Sequence, residues 1–246
     1  MYRIDYRVLS SDTDANRRLR LSRLFTLLQE ASIAHTTALG MGREKTLDRG
    51  LLWIVTLQQA EITRLPVYDE KIVLKSWPGR TMHLLFPRYY RIEDERGNAL
   101  VDASALWALM DEEKRRVVFP EQYGIKIRGV HIGKEIALPT APKMPQHAET
   151  GMFVVPYSYV DFNGHMNNTR YFDLAEDRMP ESLRSRAIVG VRTEYAKEAR
   201  QGDTITLESE TTENGYLLCG MQNGAKLFRI ALNYAPADGK GEGTGL

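Results

Sequence analysis

At 246 residues the chain has room for one large domain or two of ordinary size, and with 43% hydrophobic and 26% charged residues it has the composition of a soluble globular protein. Lys and Arg number 33 against 32 Asp and Glu, so no overall charge calls for nucleic acid or an anionic membrane, and a patch for an acidic partner has to be local. The single cysteine, Cys219, excludes an intrachain disulfide and a cysteine-built metal site and suits a reducing cytoplasm, while no stretch approaches the roughly 18 apolar residues of a membrane span and the N-terminus carries no secretory or transit pattern.

Tyr2, Ile4, Tyr6 and Val8 alternate with Arg3, Asp5 and Arg7, the period-two signature of a half-buried strand. After a polar break at 10–16, apolar residues recur at spacings of three and four (Leu21, Leu24, Phe25, Leu27, Leu28, Ala31, Ala34), which predicts a long helix over 21–39 stopped by Gly40. Strands are predicted at 51–57, 71–77, 84–93 and 99–110, divided by Leu65-Pro66, Pro78-Gly79 and Arg96-Gly97-Asn98. Such an antiparallel meander beside one helix has to curl round it to bury both apolar surfaces. Residues 131–150, with Pro139, Pro142 and Pro145, read as a linker.

The same grammar then restarts: a strand at 151–155, a polar turn, a helix from 169 to about 177, a short helix at 181–184, and strands at 188–195, 203–210, 216–222 and 225–234. The tail, 235–246, with four glycines and no apolar pattern, is expected to be disordered. Asp14, Asn16 and Arg18 fall on Asp161, Asn163 and His165 at an offset of 147, as Phe25 falls on Phe172; Ile54-Val55 falls on Ile188-Val189 at an offset of 134. These matches imply an internal duplication, with an N-terminal unit at 1–130 and a C-terminal unit at 151–234 pairing as a pseudo-dimer.

The polar turn holds the chemistry. Within eight residues it sets Asp161, Asn163, Gly164, His165, Asn167 and Asn168 just before an apolar helix. Asn167 or Asn168 is suited to cap that helix. A helix N-terminus offers free N–H groups and partial positive charge to a carbonyl oxygen on which negative charge grows, and imidazole relays protons near neutral pH. The turn therefore has the parts for acyl transfer; a capped helix in which Asp161 and Asn163 only close an Asx turn accounts for the same residues. At the 147 offset Arg18 replaces His165, and at the 134 offset Arg64 replaces Glu198, so one active copy per chain is expected.

The run Asp161-Phe-Asn163-Gly-His165-Met-Asn167-Asn168, followed by Glu194-Tyr195-Ala-Lys-Glu198-Ala199, resembles the acyl-acyl carrier protein (acyl-ACP) thioesterases, with their D-x-N-x-H-x-N-N and E-Y-x-x-E-C patterns. The first half is also similar to that family in its D-x-D turn, the Gln29-Glu30-Ala31-Ser32 helix and the Trp53 and Trp107 strands. The resemblance spans residues 2–234. It implies an α+β double hotdog, each half a long helix wrapped by a curled antiparallel sheet. It further implies release of fatty acid from an acyl-phosphopantetheine carried on acyl carrier protein, with Asp161, Asn163, His165 and Glu198 catalytic. His165 has no second histidine or cysteine at ligand spacing, so no metal is expected, and no other cofactor. Ala199 stands where plant members have cysteine, so the chemistry is expected to run without a thiolate.

On this reading His165 and Glu198 activate water, Asn163 and Asp161 position, and N–H groups near Asn167 and Asn168 hold the oxyanion; a covalent route through a carboxylate stays open. Leu24, Phe25, Leu28, Trp53 and Trp107 are acyl-channel candidates. Arg17, Arg18, Arg20, Arg23, Lys114, Arg115 and Arg116 are candidates for docking the acidic carrier. Acyl-coenzyme A hydrolysis and a non-catalytic acyl-binding module are the alternatives, no nucleic acid or membrane insertion is expected, and a homodimer is left open.

Overall fold

The computed structural model describes residues 1–236, apart from positions 134 and 147. The first half runs β1 (Tyr2–Arg7), α1 (Leu21–Ala38), β2 (Leu51–Ile62), β3 (Lys71–Pro78), β4 (Leu85–Asp94), β5 (Ala99–Asp111) and a two-residue β6 (Arg116–Val117). The second runs β7 (Glu149–Val154), α2 (Arg170–Arg178), α3 (Glu181–Arg184), β8 (Ile188–Tyr195), β9 (Thr204–Thr212), β10 (Gly215–Gln222) and β11 (Ala225–Tyr234). The expected tail lies outside the described residues from position 237 on.

All strands belong to one eleven-stranded antiparallel sheet, in the order β1-β3-β4-β5-β2-β8-β11-β10-β9-β7 with β6 on β5. Each half repeats one internal order, first strand, third, fourth, fifth, second, and the two second strands meet at the centre, from Leu57 opposite Glu194 to Glu61 opposite Gly190. The α1 residues that recur at three and four are the ones buried against the sheet, among them Leu21, Leu24, Phe25 and Leu28, and Gly40 ends the turn at φ 74°. Phe25 and Phe172, equivalent by the repeat, stack on each other with centroids 4.1 Å apart, so the two helices meet at the approximate twofold.

Equivalent hydrogen bonds fix the equivalence residue by residue. Val8 N–H donates to Glu70 O as Val155 N–H does to Asp203 O, and Leu19 N–H donates to Pro66 O as Met166 N–H does to Ala199 O. Thr63 and Arg64 both donate to Leu100 O, as Ala196 and Lys197 both donate to Leu227 O. The 147 offset therefore holds for strand, turn and helix. Downstream the spacing is one residue shorter than the Ile54/Ile188 match predicts: Arg64 is the counterpart of Lys197, and buried Leu65 is the counterpart of Glu198. The repeated Ile-Val pair misleads because both halves carry a bulge at this end of the strand, where packing rather than identity sets the register. The first half still lacks a carboxylate at this place, through a leucine rather than an arginine.

Candidate active site

The turn before α2 is held by its own backbone. Val160 bridges to Met166, Asp161 N–H donates to His165 O at 3.0 Å, Gly164 N–H donates to Asp161 O at 2.9 Å, and Asp161 Oδ1 accepts Asn163 N–H at 2.9 Å. Gly164 takes the left-handed corner at φ 77°, where Arg17 in the first half takes it at φ 61°. Met166 N–H then donates to Ala199 O at 2.7 Å, tying the turn to the segment that leaves β8. That tie brings Glu198, one residue earlier, against His165, with Nε2 3.2 Å from Oε2. The His165 side chain is 12% exposed and that of Glu198 38%, so the pair is sheltered on one side and open on the other.

Asn167 closes the helix entry. Its Oδ1 accepts Thr169 N–H at 2.9 Å and the Thr169 hydroxyl at 2.8 Å, while its Nδ2 lies 3.4 Å from Asp161 Oδ2. Asp161 thus braces both arms of the turn. The Tyr195 hydroxyl donates to Asn168 O at 2.9 Å from β8, and burial holds that phenol well above its ordinary pKa. At the matching tip of α1, Leu21 N–H is taken by a carboxyl oxygen, Glu176 Oε1, at 3.3 Å. Its counterpart by the repeat, Asn168 N–H, makes no hydrogen bond among the described residues.

A cavity of about 490 Å³ opens beside this tip. It runs into the first half between α1 and the sheet, walled by Ile33, Met41, Leu51, Trp53, Phe86 and Trp107, and its mouth is formed by Asp161, Asn163, Asn167 and Asn168 of the second half. Of the five channel candidates Trp53 and Trp107 line it. Leu24, Phe25 and Leu28, each no more than 1% exposed, pack in the core outside it. His165 and Glu198 do not line it; they sit across Gly164 from Asn163, on the other arm of the mouth turn.

The basic candidates scatter. Arg115, on the turn between β5 and β6, forms an ion pair with Glu198, so a first-half cation meets the second-half carboxylate. Arg18 pairs with Asp14 and donates to Arg184 O and Arg186 O, seating the first-half turn on the end of α3. Arg23 binds Asp12 and lies over the Tyr6 ring. Arg17, Arg20 and Arg116 are exposed, and Lys114 lies 3.8 Å from Asp111. Cys219 is buried, 3.8 Å from the Met144 sulfur, with burial pushing its thiol up to about 11, so it holds no thiolate near neutral pH. The sequence marks Arg115 only as a docking candidate, not as the partner of Glu198, and does not mark Arg88, a buried arginine on the cavity wall.

The acyl-ACP thioesterase N-terminal domain model matches residues 1–140 and the C-terminal domain model matches residues 143–234. A chloroplastic acyl-[acyl-carrier-protein] hydrolase of Cuphea viscosissima is 26% identical over 225 residues, covering 85% of this chain and 54% of its own. A chloroplastic palmitoyl-acyl carrier protein thioesterase of Cuphea hookeriana is 21% identical over 264 residues, covering 97% and 63%. The chain thus spans little more than half the length of these curated relatives. An acyl-ACP thioesterase structure from Bacteroides thetaiotaomicron superposes with a TM-score of 0.86 at 21% identity, covering 95% of this chain and 97% of that one. The 12:0-ACP thioesterase of Umbellularia californica does so at 0.78 and 19% identity, covering 96% and 97%. The α+β double hotdog is the fold they share. Two family models that take in nearly all of the chain between them, on a fold repeated in the same order, make this protein a member of the acyl-ACP thioesterase family.

Proposed function

We propose that the protein hydrolyses the thioester of an acyl group carried on acyl carrier protein, releasing free fatty acid. The observation that carries this reading is the 3.2 Å approach of His165 Nε2 to Glu198 Oε2 beside the tip of α2. The imidazole takes a proton from water as the water oxygen attacks the thioester carbon, and Glu198 stabilises the imidazolium that forms. The carbonyl oxygen gains negative charge facing the α2 tip, where Asn168 N–H is unused. At the matching tip of α1 the equivalent N–H is used, donating to Glu176 Oε1, so an oxygen fits in that position. Collapse of the tetrahedral intermediate breaks the C–S bond, and the imidazolium returns its proton to the departing thiolate.

Asn163 at the mouth orients water or the thioester carbonyl, and Asp161 holds the turn that carries both Asn163 and His165. The acyl chain enters the cavity past Asn167 and Asn168. The test is thiol release from acyl-ACP by His165→Ala and Glu198→Gln, with far-UV circular dichroism to show that each variant is folded. Turnover should fall about 100-fold or more in each. Activity equal to wild type in both folded variants removes the assignment.

A further inference from the structure

The two helices begin differently although the repeat equates them. α1 is helical from Leu21, whereas α2 begins only at Arg170, two positions beyond Asn168, the counterpart of Leu21. The α2 tip is wound more tightly: Arg170 N–H donates to Asn167 O and Phe172 N–H to Thr169 O, three residues back, where Leu24 N–H in α1 reaches four back to Arg20 O. Phe172 N–H is thereby lost to Asn168 O as a helical partner, and the Tyr195 hydroxyl takes its place from β8 at 2.9 Å.

The first half has no such anchor. With Lys197 equivalent to Arg64, the counterpart of Tyr195 is Ile62, 4% exposed. A hydroxyl set where the other repeat keeps an aliphatic core side chain is costly unless it is hydrogen-bonded, and this one has Asn168 O and, at 3.3 Å, Oε1 of the buried Gln58 from β2. Tyr171, whose ring meets that of Tyr195 at 5.5 Å, repeats the contrast. Its counterpart is the buried Leu24, and its hydroxyl faces Ala199 N–H where the first half has Pro66, which has no N–H to give.

We propose that Tyr195 is a positioning residue for thioester hydrolysis: its hydroxyl holds the α2 tip out of helical register, so that Asn168 N–H stays free at the cavity mouth for the oxygen on which negative charge develops. This rests on the thioester hydrolase reading and assigns the group that fixes its oxyanion donor. Without the hydroxyl, Asn168 O lacks a partner, and the tip regains one by winding as α1 does, with Phe172 N–H returning to Asn168 O.

The experiment measures thiol release from acyl-ACP by the full chain carrying Tyr195→Phe, which deletes one oxygen and keeps the ring against Tyr171. The kcat should fall about tenfold with KM within about twofold of wild type, since a misplaced donor is felt where charge develops and not in the ground state. An acyl-ACP thioether, with a methylene in place of the thioester carbonyl, should bind variant and wild type equally, a readout that damage to the cavity would move. Tyr234→Phe, which removes the hydroxyl that meets the Met179 sulfur at the far end of α2, should keep the wild-type kcat. A wild-type kcat in Tyr195→Phe, a loss seen only as a higher KM, weaker binding of the thioether, or an equal fall in kcat in Tyr234→Phe overturns the inference and leaves the hydrolase reading standing. A wild type that releases no thiol at any chain length overturns both.

Discussion

Arg115 reaches Glu198 from the other half of the chain, and that contact separates two roles that the sequence cannot separate. A cation that docks an acidic carrier acts on encounter, so its removal raises KM and flattens the salt dependence. A cation that positions the carboxylate beside His165 acts on the chemical step, so its removal lowers kcat with KM little changed. The geometry predicts the second for Arg115→Ala, about tenfold in kcat, whereas a rise in KM alone, with weaker salt dependence, returns the residue to the docking surface. The same logic shows what was legible at this scale. Asp161, Asn163 and His165 lie within five positions and announce themselves as a polar cluster, and Glu198 joins them through the motif. Arg115 and Arg88 carry no such mark: Arg115 sits in a charged turn that reads as a docking candidate, and only the union of the two halves brings it to Glu198, while Arg88 is one of two arginines on β4 and reaches the cavity wall within the first half.

Among the elements, three were legible to the residue, and α1, with its clear apolar period, to within one. The spans predicted at 181–184, 188–195 and 225–234 coincide with α3, β8 and β11. The prediction for β2 stops at 57, five residues short of Ile62, because Gln58, Gln59 and Glu61 break the apolar pattern. Those residues are strand because β5 pairs with them on one side and β8, from the other half, pairs with them up to Glu61 on the other; Gln58, 4% exposed, faces the Tyr195 hydroxyl at 3.3 Å. The helices are joined in a similar way. No side chain caps α1 at Arg20, and Glu176 from α2 supplies the missing acceptor to Leu21 N–H. Burial raises the Glu176 carboxyl from 4.5 to about 7. A carboxyl raised in the fold keeps its proton there at pH values where the unfolded chain has lost it, so the folded state binds more protons and stability declines as pH rises from 4.5 to about 7. Glu176→Gln keeps an oxygen for Leu21 N–H and removes the titration. It should flatten that decline and raise the melting temperature at pH 8 relative to wild type, in thermal melts recorded at pH 5 and pH 8. A pH dependence unchanged in the variant assigns the decline to another group.

At the scale of the whole molecule, the two halves share a sheet without a break between β2 and β8 and a core joined by the Phe25–Phe172 stack. The site depends on that union, since its cavity belongs to the first half and its turn to the second. Such a pair should unfold as one cooperative unit rather than half by half. The chain carries a natural reporter: its three tryptophans, Trp53, Trp77 and Trp107, all lie in the first half, whereas far-UV circular dichroism sees both. Phe172→Ala empties a fully buried site in the second half, a loss of about 3–5 kcal/mol. At about 2–4 °C per kcal/mol for a chain of this size, the melting temperature should fall by roughly 10 °C. If the halves are one unit, tryptophan fluorescence and circular dichroism shift together by that amount, although no tryptophan lies in the altered half. A fluorescence transition that stays at the wild-type temperature while the dichroism splits in two would show that the halves unfold separately, and the shared sheet would then be a contact between independent domains.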